Sequence, residues 1–279
     1  MAKKHLLAPA TVVAITGGAR GIGYATASAL LERGARVAIG DIDGELARAS
    51  ADELGSRCAG FDLEVTDRKS FAAFLDAAAA RFGPIDILVN NAGIMPLGEF
   101  AEEPDELTRR IIEVNLHGVL LGTKLAIARM KPRAGGHIIN ISSAVGRVAL
   151  AGAATYSATK YAIVGLTEAT RSELRGTGVE VSCVLPMITR TELGAGLSDV
   201  RGQRTVSPEE VAKAVVATIA APRFEVWVPA SGRRLYVLMS VLPKRWAEAI
   251  SRFVGAADVL AAPDTTARGE YEKRARGQR

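Results

Sequence analysis

Short apolar segments alternate with longer amphipathic segments along the first 230 residues of this chain. The short segments are rich in β-branched residues and almost continuously apolar, as in residues 36–41 and 179–186. The segments between them carry apolar residues at helical spacing. Because each crossover places a helix on the sheet, such strands form parallel sheets that are covered on both faces. We therefore predict an α/β fold: a doubly wound, seven-stranded, mainly parallel sheet with helices on both faces.

The same pattern gives the order of the elements. The predicted strands cover residues 11–16, 36–41, 57–64, 85–93, 136–143, 179–186 and 224–229, and the predicted helices cover residues 23–35, 43–54, 67–83, 104–131, 154–176 and 208–220. Ser207, Pro208 and Glu210 predict the start of the last helix, because serine, proline and glutamate at these positions form a capping box. Since no linker or repeat interrupts the pattern, we predict one domain over residues 1–230 and a C-terminal extension over 231–279.

A glycine-rich loop, TGGARGIG (16–23), joins the first strand to the first helix. Gly17, Gly21 and Gly23 would let the backbone turn tightly and approach a pyrophosphate at the helix N-terminus. Asp41 ends the second strand, where a carboxylate can accept the ribose hydroxyls of NAD and repel the extra phosphate of NADP. Arg20 favours the opposite choice, since a guanidinium can pair with that phosphate. Because the repulsion should dominate, we predict NAD, with NADP as the less favoured cofactor.

Tyr156 and Lys160 lie four residues apart on a predicted helix, so their side chains share one face. A tyrosine normally ionises near pH 10, and a neighbouring ammonium lowers that pKa. By spacing alone the pair is more typical of a solvated helix surface than of a catalytic site. Ser143 lies at the end of the fifth strand, at the sheet edge where α/β proteins place their sites, whereas Ser142 points to the opposite face.

In this order, TGGARGIG, NNAG (90–93), Asn115, Ser143 and YSATK (156–160) together resemble the short-chain dehydrogenase/reductase family over about residues 8–230. The resemblance implies a Rossmann-like domain that transfers hydride between a nicotinamide cofactor and a secondary alcohol or ketone. In this family pattern Tyr156 is the general acid/base and Ser143 orients the substrate oxygen. Lys160 lowers the pKa of the tyrosine and binds the ribose, while Asn115 holds a water that relays protons.

The resemblance also implies a wider set of cofactor contacts, namely Gly17, Arg20, Gly21, Ile22, Gly23, Asp41, Glu64, Val65, Asn91, Ala92, Gly93, Tyr156, Lys160, Pro186, Ile188 and Thr191. Glu64 stands where the family usually has the aspartate that contacts adenine. Asp62 is an alternative, because residues two apart on a strand point to the same face. Met187 replaces a usual glycine and would bring a flexible apolar side chain near the substrate.

The substrate is predicted from the residues around this site. The loop 189–206 would form a lid, and it lacks a dense cluster of charge. The expected pocket residues are apolar: Ile94, Met95, Val145, Val148, Leu150, Met187 and Leu193. We therefore expect a lipophilic small-molecule alcohol or ketone. A non-catalytic dinucleotide-sensing or scaffold protein on the same fold is the alternative, but such a protein would not need all four residues of the catalytic set.

Composition excludes several other classes. Two cysteines cannot form a disulfide framework, which is typical of a reducing cytoplasm. Three scattered histidines have no metal-ligand spacing, so no metal site is predicted. There is no zinc finger or basic zipper, and nucleic acid is not an expected partner. The N-terminal lysines and apolar run resemble a signal peptide, but cleavage would remove the first strand. No stretch approaches the roughly 18 apolar residues of a spanning helix.

The extension leaves two interpretations open. Residues 244–260 place Trp246, Ile250, Phe253 and Ala257 at helical spacing, next to the apolar run 235–242. Such a helix would pack on its own or a partner subunit, or it would lie on an acidic membrane surface, which would make the cytoplasmic protein membrane-associated. The family resemblance implies a homodimer or homotetramer. The last 15 or so residues are highly charged, and we expect them to be disordered.

Overall fold

Seven parallel strands form the central sheet of the protein, in the order β3-β2-β1-β4-β5-β6-β7. The structure is a computed structural model that describes residues 10–197, 205–243, 245–246, 260 and 265–277. The strands are β1 (Val12–Thr16), β2 (Arg36–Asp41), β3 (Cys58–Asp62), β4 (Ile87–Asn90), β5 (Gly136–Ile141), β6 (Val179–Pro186) and β7 (Glu225–Val228). The predicted doubly wound sheet is confirmed, and every strand pair in it is parallel.

Helices connect the strands as the periodicity predicts. They are α1 (Gly21–Leu31), α2 (Gly44–Leu54), α3 (Arg68–Phe82), α4 (Asp105–Ile112), α5 (Gly118–Met130), α6 (Ala154–Glu173) and α7 (Pro208–Ala220). The predicted capping box at the start of α7 is confirmed: the N–H of Glu210 donates to the Ser207 hydroxyl at 3.2 Å, and the Ser207 N–H donates to the Glu210 carboxylate at 2.9 Å.

Alternating residues of the strands build two hydrophobic cores, one on each face of the sheet. In β1, Val13 and Ile15 pack with residues of α1 and α7. Val12 and Ala14 point to the other face and join the core formed with α3 and α5. All five residues of β1 are buried, which explains why the strand reads as a continuous apolar run rather than as an alternating one.

The predicted helix over residues 104–131 is interrupted by a wider turn. Between α4 and α5, residues Glu113–His117 form a π-helical segment. By length and composition the whole helical stretch Asp105–Arg133 is long and apolar enough to cross a membrane, contrary to our expectation from the sequence. Half of its most apolar window is buried inside the protein, as in a core helix.

The C-terminal extension departs from the prediction in one respect. Helix α8 (Ser231–Val241) contains most of the apolar run 235–242 and leaves Leu238 and Val241 exposed. Most of the predicted amphipathic helix over 244–260 lies outside the described residues. The expected disorder of the last residues is wrong for Thr265–Ala275, which form helix α9. The sequence of α9 is too polar to predict a buried face. The helix contacts segments that are distant in sequence, and a local pattern carries no information about such contacts.

Candidate active site

One cavity of about 1480 Å³ opens at the carboxyl ends of the strands. It lies beside the point where β1 and β4 are neighbours and the winding of the sheet reverses, which is where doubly wound folds bind their ligands. The glycine loop and Asp41 line one part of the cavity, and Ser143, Tyr156 and Lys160 line another. The tertiary structure therefore brings the two predicted groups of residues into one continuous space.

The glycine loop is held against the end of β4. Gly17 has a positive φ of +62°, and a Cβ there would lie only 2.9 Å from the Cα of Ala92. The Asn91 side-chain amide donates to the Gly17 carbonyl at 2.9 Å and to the Thr16 carbonyl at 3.0 Å. A Cβ on Gly23 would collide with the Gly17 carbonyl oxygen. The sequence interpretation of these glycines as a close-approach turn thus agrees with the backbone.

Asp41 is buried at the end of β2 and faces the cavity. Its carboxylate accepts N–H groups from Ala19 at 3.3 Å and from Asp43 at 3.2 Å. Burial raises the pKa of Asp41, and the two backbone N–H groups oppose that rise. Arg20 is engaged by the carboxylates of Asp43 at 3.3 Å and Glu192 at 3.2 Å. Its guanidinium is therefore already paired with two carboxylates.

The two alternatives for the adenine contact occupy different surroundings. Glu64 and Val65 line the cavity. The Glu64 carboxylate accepts the N–H of Thr66 at 3.1 Å and its hydroxyl at 2.9 Å. Asp62 instead pairs with Arg48 at 2.7 Å, with 76% of its side chain exposed, and it is not among the residues lining the cavity. Of the two, only Glu64 lines the cavity.

Ser143, Tyr156 and Lys160 meet where β5 ends against α6. The Tyr156 phenol is buried and lines the cavity together with Ser143, whose hydroxyl accepts the Val145 N–H at 3.3 Å. The Lys160 ammonium lies 5.4 Å from the centre of the Tyr156 ring and donates to the Ile141 carbonyl at 3.1 Å. The Ser142 hydroxyl is bonded to the Lys160 carbonyl at 2.9 Å, so it holds α6 to β5. The helical spacing of the pair and the alternation of the two serines are both seen in the structure.

The electrostatics of this group differ from the expectation. Burial raises the pKa of Tyr156 to about 12, and the hydrogen bond from Ser143 opposes the rise. Burial lowers the pKa of Lys160 to about 8. We expected the ammonium to lower the pKa of the phenol. In the structure desolvation dominates, because it disfavours the charged form of both groups, a phenolate and an ammonium.

Asn115 lies within the π-helical segment and is fully buried. Its side-chain oxygen accepts the Ile94 N–H at 2.8 Å, and its side-chain nitrogen donates to the Ile94 carbonyl at 2.8 Å. A Cβ on Gly93 would lie 3.2 Å from this oxygen and 3.6 Å from the Lys160 Nζ. Asn115 therefore fixes the segment after β4 beside Lys160. Wider π turns of this kind often mark functional sites in helices.

Most of the predicted site residues line this one cavity. Gly23 and Asn115 do not line the cavity, but they lie against residues that do, namely Gly17 and Ile94. The other predicted catalytic and cofactor residues all line it, namely Gly17, Arg20, Gly21, Ile22, Asp41, Glu64, Val65, Asn91, Ala92, Gly93, Ser143, Tyr156, Lys160, Pro186, Ile188 and Thr191. So do the expected apolar pocket residues Ile94, Met95, Val145, Val148, Leu150, Met187 and Leu193.

Several lining residues were missed from the sequence. They come from the C-terminal extension and β7: Trp227, Leu235, Tyr236, Met239, Leu260, Tyr271, Arg274 and Ala275. Leu260 joins a buried apolar cluster with Met95, Leu97 and Tyr156. The sequence contains one weak indication that this part of the extension forms a helix. Arg268 and Glu272 are spaced for an intrahelical ion pair, but such pairs are found on any charged helix.

Comparison with known proteins agrees with this geometry. The profile of the short chain dehydrogenase family matches residues 11–201. The chain is 42% identical over 217 residues to cis-4-hydroxycyclohexanecarboxylate dehydrogenase of Sinomonas cyclohexanicum, covering 73% of this chain and 87% of the relative. It is 36% identical over 209 residues to a 3-alpha-(or 20-beta)-hydroxysteroid dehydrogenase of Mycobacterium bovis, covering 74% of this chain and 80% of that protein.

A solved structure shows the same fold. The 3-ketoacyl-(acyl-carrier-protein) reductase of Brucella melitensis, solved in complex with NADH, superimposes with a TM-score of 0.72 at 27% identity. The similarity covers 79% of this chain and 97% of the reductase. With the sheet order, the glycine loop and the Ser143–Tyr156–Lys160 group on the same cavity, the chain belongs to the short chain dehydrogenase family of nucleotide-binding oxidoreductases.

Proposed function

We propose that this protein is an NAD-dependent oxidoreductase that interconverts a lipophilic secondary alcohol and the corresponding ketone. One observation carries the proposal: Ser143 and Tyr156, with Lys160 against the phenol ring, face the same cavity as the glycine loop and Asp41. A substrate held between the Ser143–Tyr156–Lys160 group and a bound cofactor would have its oxygen beside the proton-transferring side chains and its reacting carbon beside the nicotinamide.

The residues present fit a dinucleotide. The side-chain-free surface of Gly17 and Gly21, both at positive φ, leaves room for a pyrophosphate at the N-terminus of α1. Asp41 would accept the hydroxyls of the adenosine ribose, and Glu64 and Val65 would border the adenine. Lys160 has an ammonium near Gly93, where the nicotinamide ribose would lie. When bound, the nicotinamide supplies the acceptor or donor of hydride.

The side chains of this chain would manage the proton and the substrate oxygen. The Ser143 hydroxyl would hold the substrate oxygen next to the Tyr156 phenol. In reduction the phenol donates its proton to the carbonyl oxygen. In oxidation the proton of the alcohol moves to the Tyr156 oxygen, which must pass its own proton on to the relay because burial disfavours a free phenolate. Burial lowers the pKa of Lys160 to about 8, so this group can take up and release a proton in mildly alkaline solution, which suits a group that returns protons to the site. Asn115 would complete that relay through a water.

The substrate class follows from the cavity and the relatives. The substrate half of the cavity is lined by apolar side chains such as Met95, Val145 and Leu150. Two relatives act, by their names, on ring-borne hydroxyls, those of a hydroxycyclohexanecarboxylate and of hydroxysteroids. We therefore propose a cyclic secondary alcohol as the substrate.

The test is a comparison of Tyr156→Phe with the wild-type chain, using cyclic secondary alcohols and NAD and following the absorbance of NADH. We expect at least a thousandfold loss of kcat with a retained Kd for NADH, because the ring stays and only the proton donor is removed. Tyr24→Phe is the matched control, since Tyr24 lies on α1 and does not line the cavity. Binding of NADH by a wild-type chain that turns over no alcohol or ketone would instead identify a dinucleotide-sensing protein.

A further inference from the structure

Helix α9 packs across the short segment that follows β4. The Met95 N–H donates to the hydroxyl of Tyr271 at 2.7 Å, and the Leu97 N–H donates to the Glu272 carboxylate at 3.3 Å. The residue between them is a proline, which has no N–H to donate. Every backbone donor of residues 95–97 therefore ends on a side chain of α9.

Arg268 joins this segment to the loop after β6. Only 1% of Arg268 is exposed. Its guanidinium donates to the carbonyls of Met95 at 2.8 Å, Leu193 at 2.8 Å and Ala195 at 2.9 Å, and it pairs with Glu272 at 3.1 Å. A buried guanidinium is tolerated only where its donors are satisfied in this way. Arg268 thus ties together three segments that are far apart in sequence.

The C-terminal end of α9 is anchored as well. The Arg110 side chain on α4 donates to the Ala275 carbonyl at 2.9 Å, at the C-terminal end of the helix. Arg274 pairs at 2.6 Å with Glu192, which also pairs with Arg20 of the glycine loop. The helix is therefore connected to the cofactor side of the cavity as well as to its substrate side.

Tyr271 places a phenol on the cavity that the family set does not include. It lines the cavity together with Tyr156, and its oxygen accepts the Met95 N–H. Among the described residues, no acceptor is found for its own hydroxyl hydrogen. Burial raises the pKa of Tyr271 above its ordinary value, and the neighbouring Tyr156 adds to the rise, so the hydroxyl keeps its hydrogen at neutral pH.

We propose that α9 is a fixed wall of the substrate chamber and that Tyr271 donates a hydrogen bond to a second oxygen of the substrate. The reacting oxygen belongs to Ser143 and Tyr156, so the oxygen at Tyr271 is a different one. This inference rests on the proposed function, and it narrows the substrate to cyclic secondary alcohols that carry a further oxygen group. Arg268 is a positioning residue, because it acts by holding the wall in place.

The wall is tested by hydrogen exchange on the full-length chain. In Arg268→Gln the Met95 and Leu97 amides should exchange at least tenfold faster, since their acceptors are side chains of α9. Lys273→Gln, at an exposed position of the same helix, should leave both rates unchanged. Equal rates in Arg268→Gln and the wild-type chain would overturn the wall, whether or not a substrate is known.

The role of Tyr271 is tested with Tyr271→Phe, which keeps the ring. We expect kcat/KM for cis-4-hydroxycyclohexanecarboxylate to fall about tenfold relative to that for cyclohexanol, mainly through KM, as for the loss of one hydrogen bond to a charged group. An unchanged ratio would overturn the role.

If the wild-type chain oxidises neither alcohol, the proposed function fails. The calorimetric Kd of cyclohexanecarboxylate with the NADH-loaded chain then decides the role of Tyr271. A weaker Kd in Tyr271→Phe supports it, and equal Kd values or no binding to the wild-type chain overturn it.

Discussion

Replacing Lys160 by methionine should make the stability of the protein respond differently to pH. Lys160 is buried at 4% exposure, and burial lowers its pKa from 10.5 to about 8. Below about pH 8 the lysine is charged in both the folded and the unfolded chain, and the folded state carries the full cost of the buried ammonium. Between about pH 8 and 10.5 the folded chain releases this proton while the unfolded chain keeps it. The stabilising contribution is therefore present above the unfolded pKa and is lost as the pH falls through the folded pKa.

The magnitude follows from the shift. At about 1.4 kcal/mol per pKa unit, the free energy of unfolding of the wild-type chain should gain about 2.5 kcal/mol between pH 7 and pH 10 from this one group. Methionine fills a similar volume and does not titrate. The difference in stability, wild type minus Lys160→Met, should rise by that amount over this range. The lost hydrogen bond to the Ile141 carbonyl adds a constant that does not depend on pH.

Urea unfolding at pH 7, 8, 9 and 10 measures the difference directly, because the titrations of all other groups cancel to first order. Lys124→Met, an exposed position on α5, controls for the removal of one positive charge. A difference between wild type and Lys160→Met that stays flat from pH 7 to 10 would refute the claim that the folded chain lowers the pKa of Lys160. Turnover should be lost at every pH, since the same ammonium serves the proposed catalytic group.

Three further predictions concern residues around the cofactor side of the cavity. Asn115→Ala should lower the free energy of unfolding by about 2–4 kcal/mol in urea denaturation, because the N–H and C=O of Ile94 lose their buried partners; a change below 1 kcal/mol would contradict this. Gly23→Ala should weaken NADH binding at least tenfold by fluorescence titration, since the added methyl collides with the Gly17 carbonyl; an unchanged Kd would show that the loop does not hold the dinucleotide. Asp41→Ala should shift the ratio of kcat/KM for NAD and NADP at least tenfold toward NADP, and steady-state kinetics showing the original ratio would remove the carboxylate from cofactor choice.

Much of the fold, and the cofactor and catalytic residues of the site, could be predicted from local sequence patterns. The bounds of β2 and β6 agree with the prediction to the residue, because both strands are mostly apolar and buried and are bounded by residues that interrupt this pattern, such as Asp41, Gly178 and Pro186. The start of α7 was equally clear from its capping box. Tyr156 and Lys160 were recognisable because a helix turns their spacing into proximity. In each case the information lies within a few consecutive residues.

The sequence was misleading where the outcome depends on what surrounds a group. The pKa of Tyr156 was expected to fall because an ammonium is close in sequence, yet burial of the pair raises it to about 12. The role of Asn115 in holding Ile94 could not be derived, since the two meet only when the π-helical segment packs on the end of β4. Desolvation and packing are properties of the folded surroundings, and a linear motif does not contain them.

Local sequence patterns were sufficient to predict a parallel doubly wound sheet, a glycine loop after its first strand, and a tyrosine and a lysine on one helix face. They predicted a charged and disordered tail at α9, whereas the folded chain places this helix on the substrate side of the cavity. Arg268 and Tyr271 have their hydrogen-bond partners at Met95 and in the loop after β6, more than 70 residues away along the chain. Contacts between residues so far apart along the chain leave no periodic pattern in the local sequence.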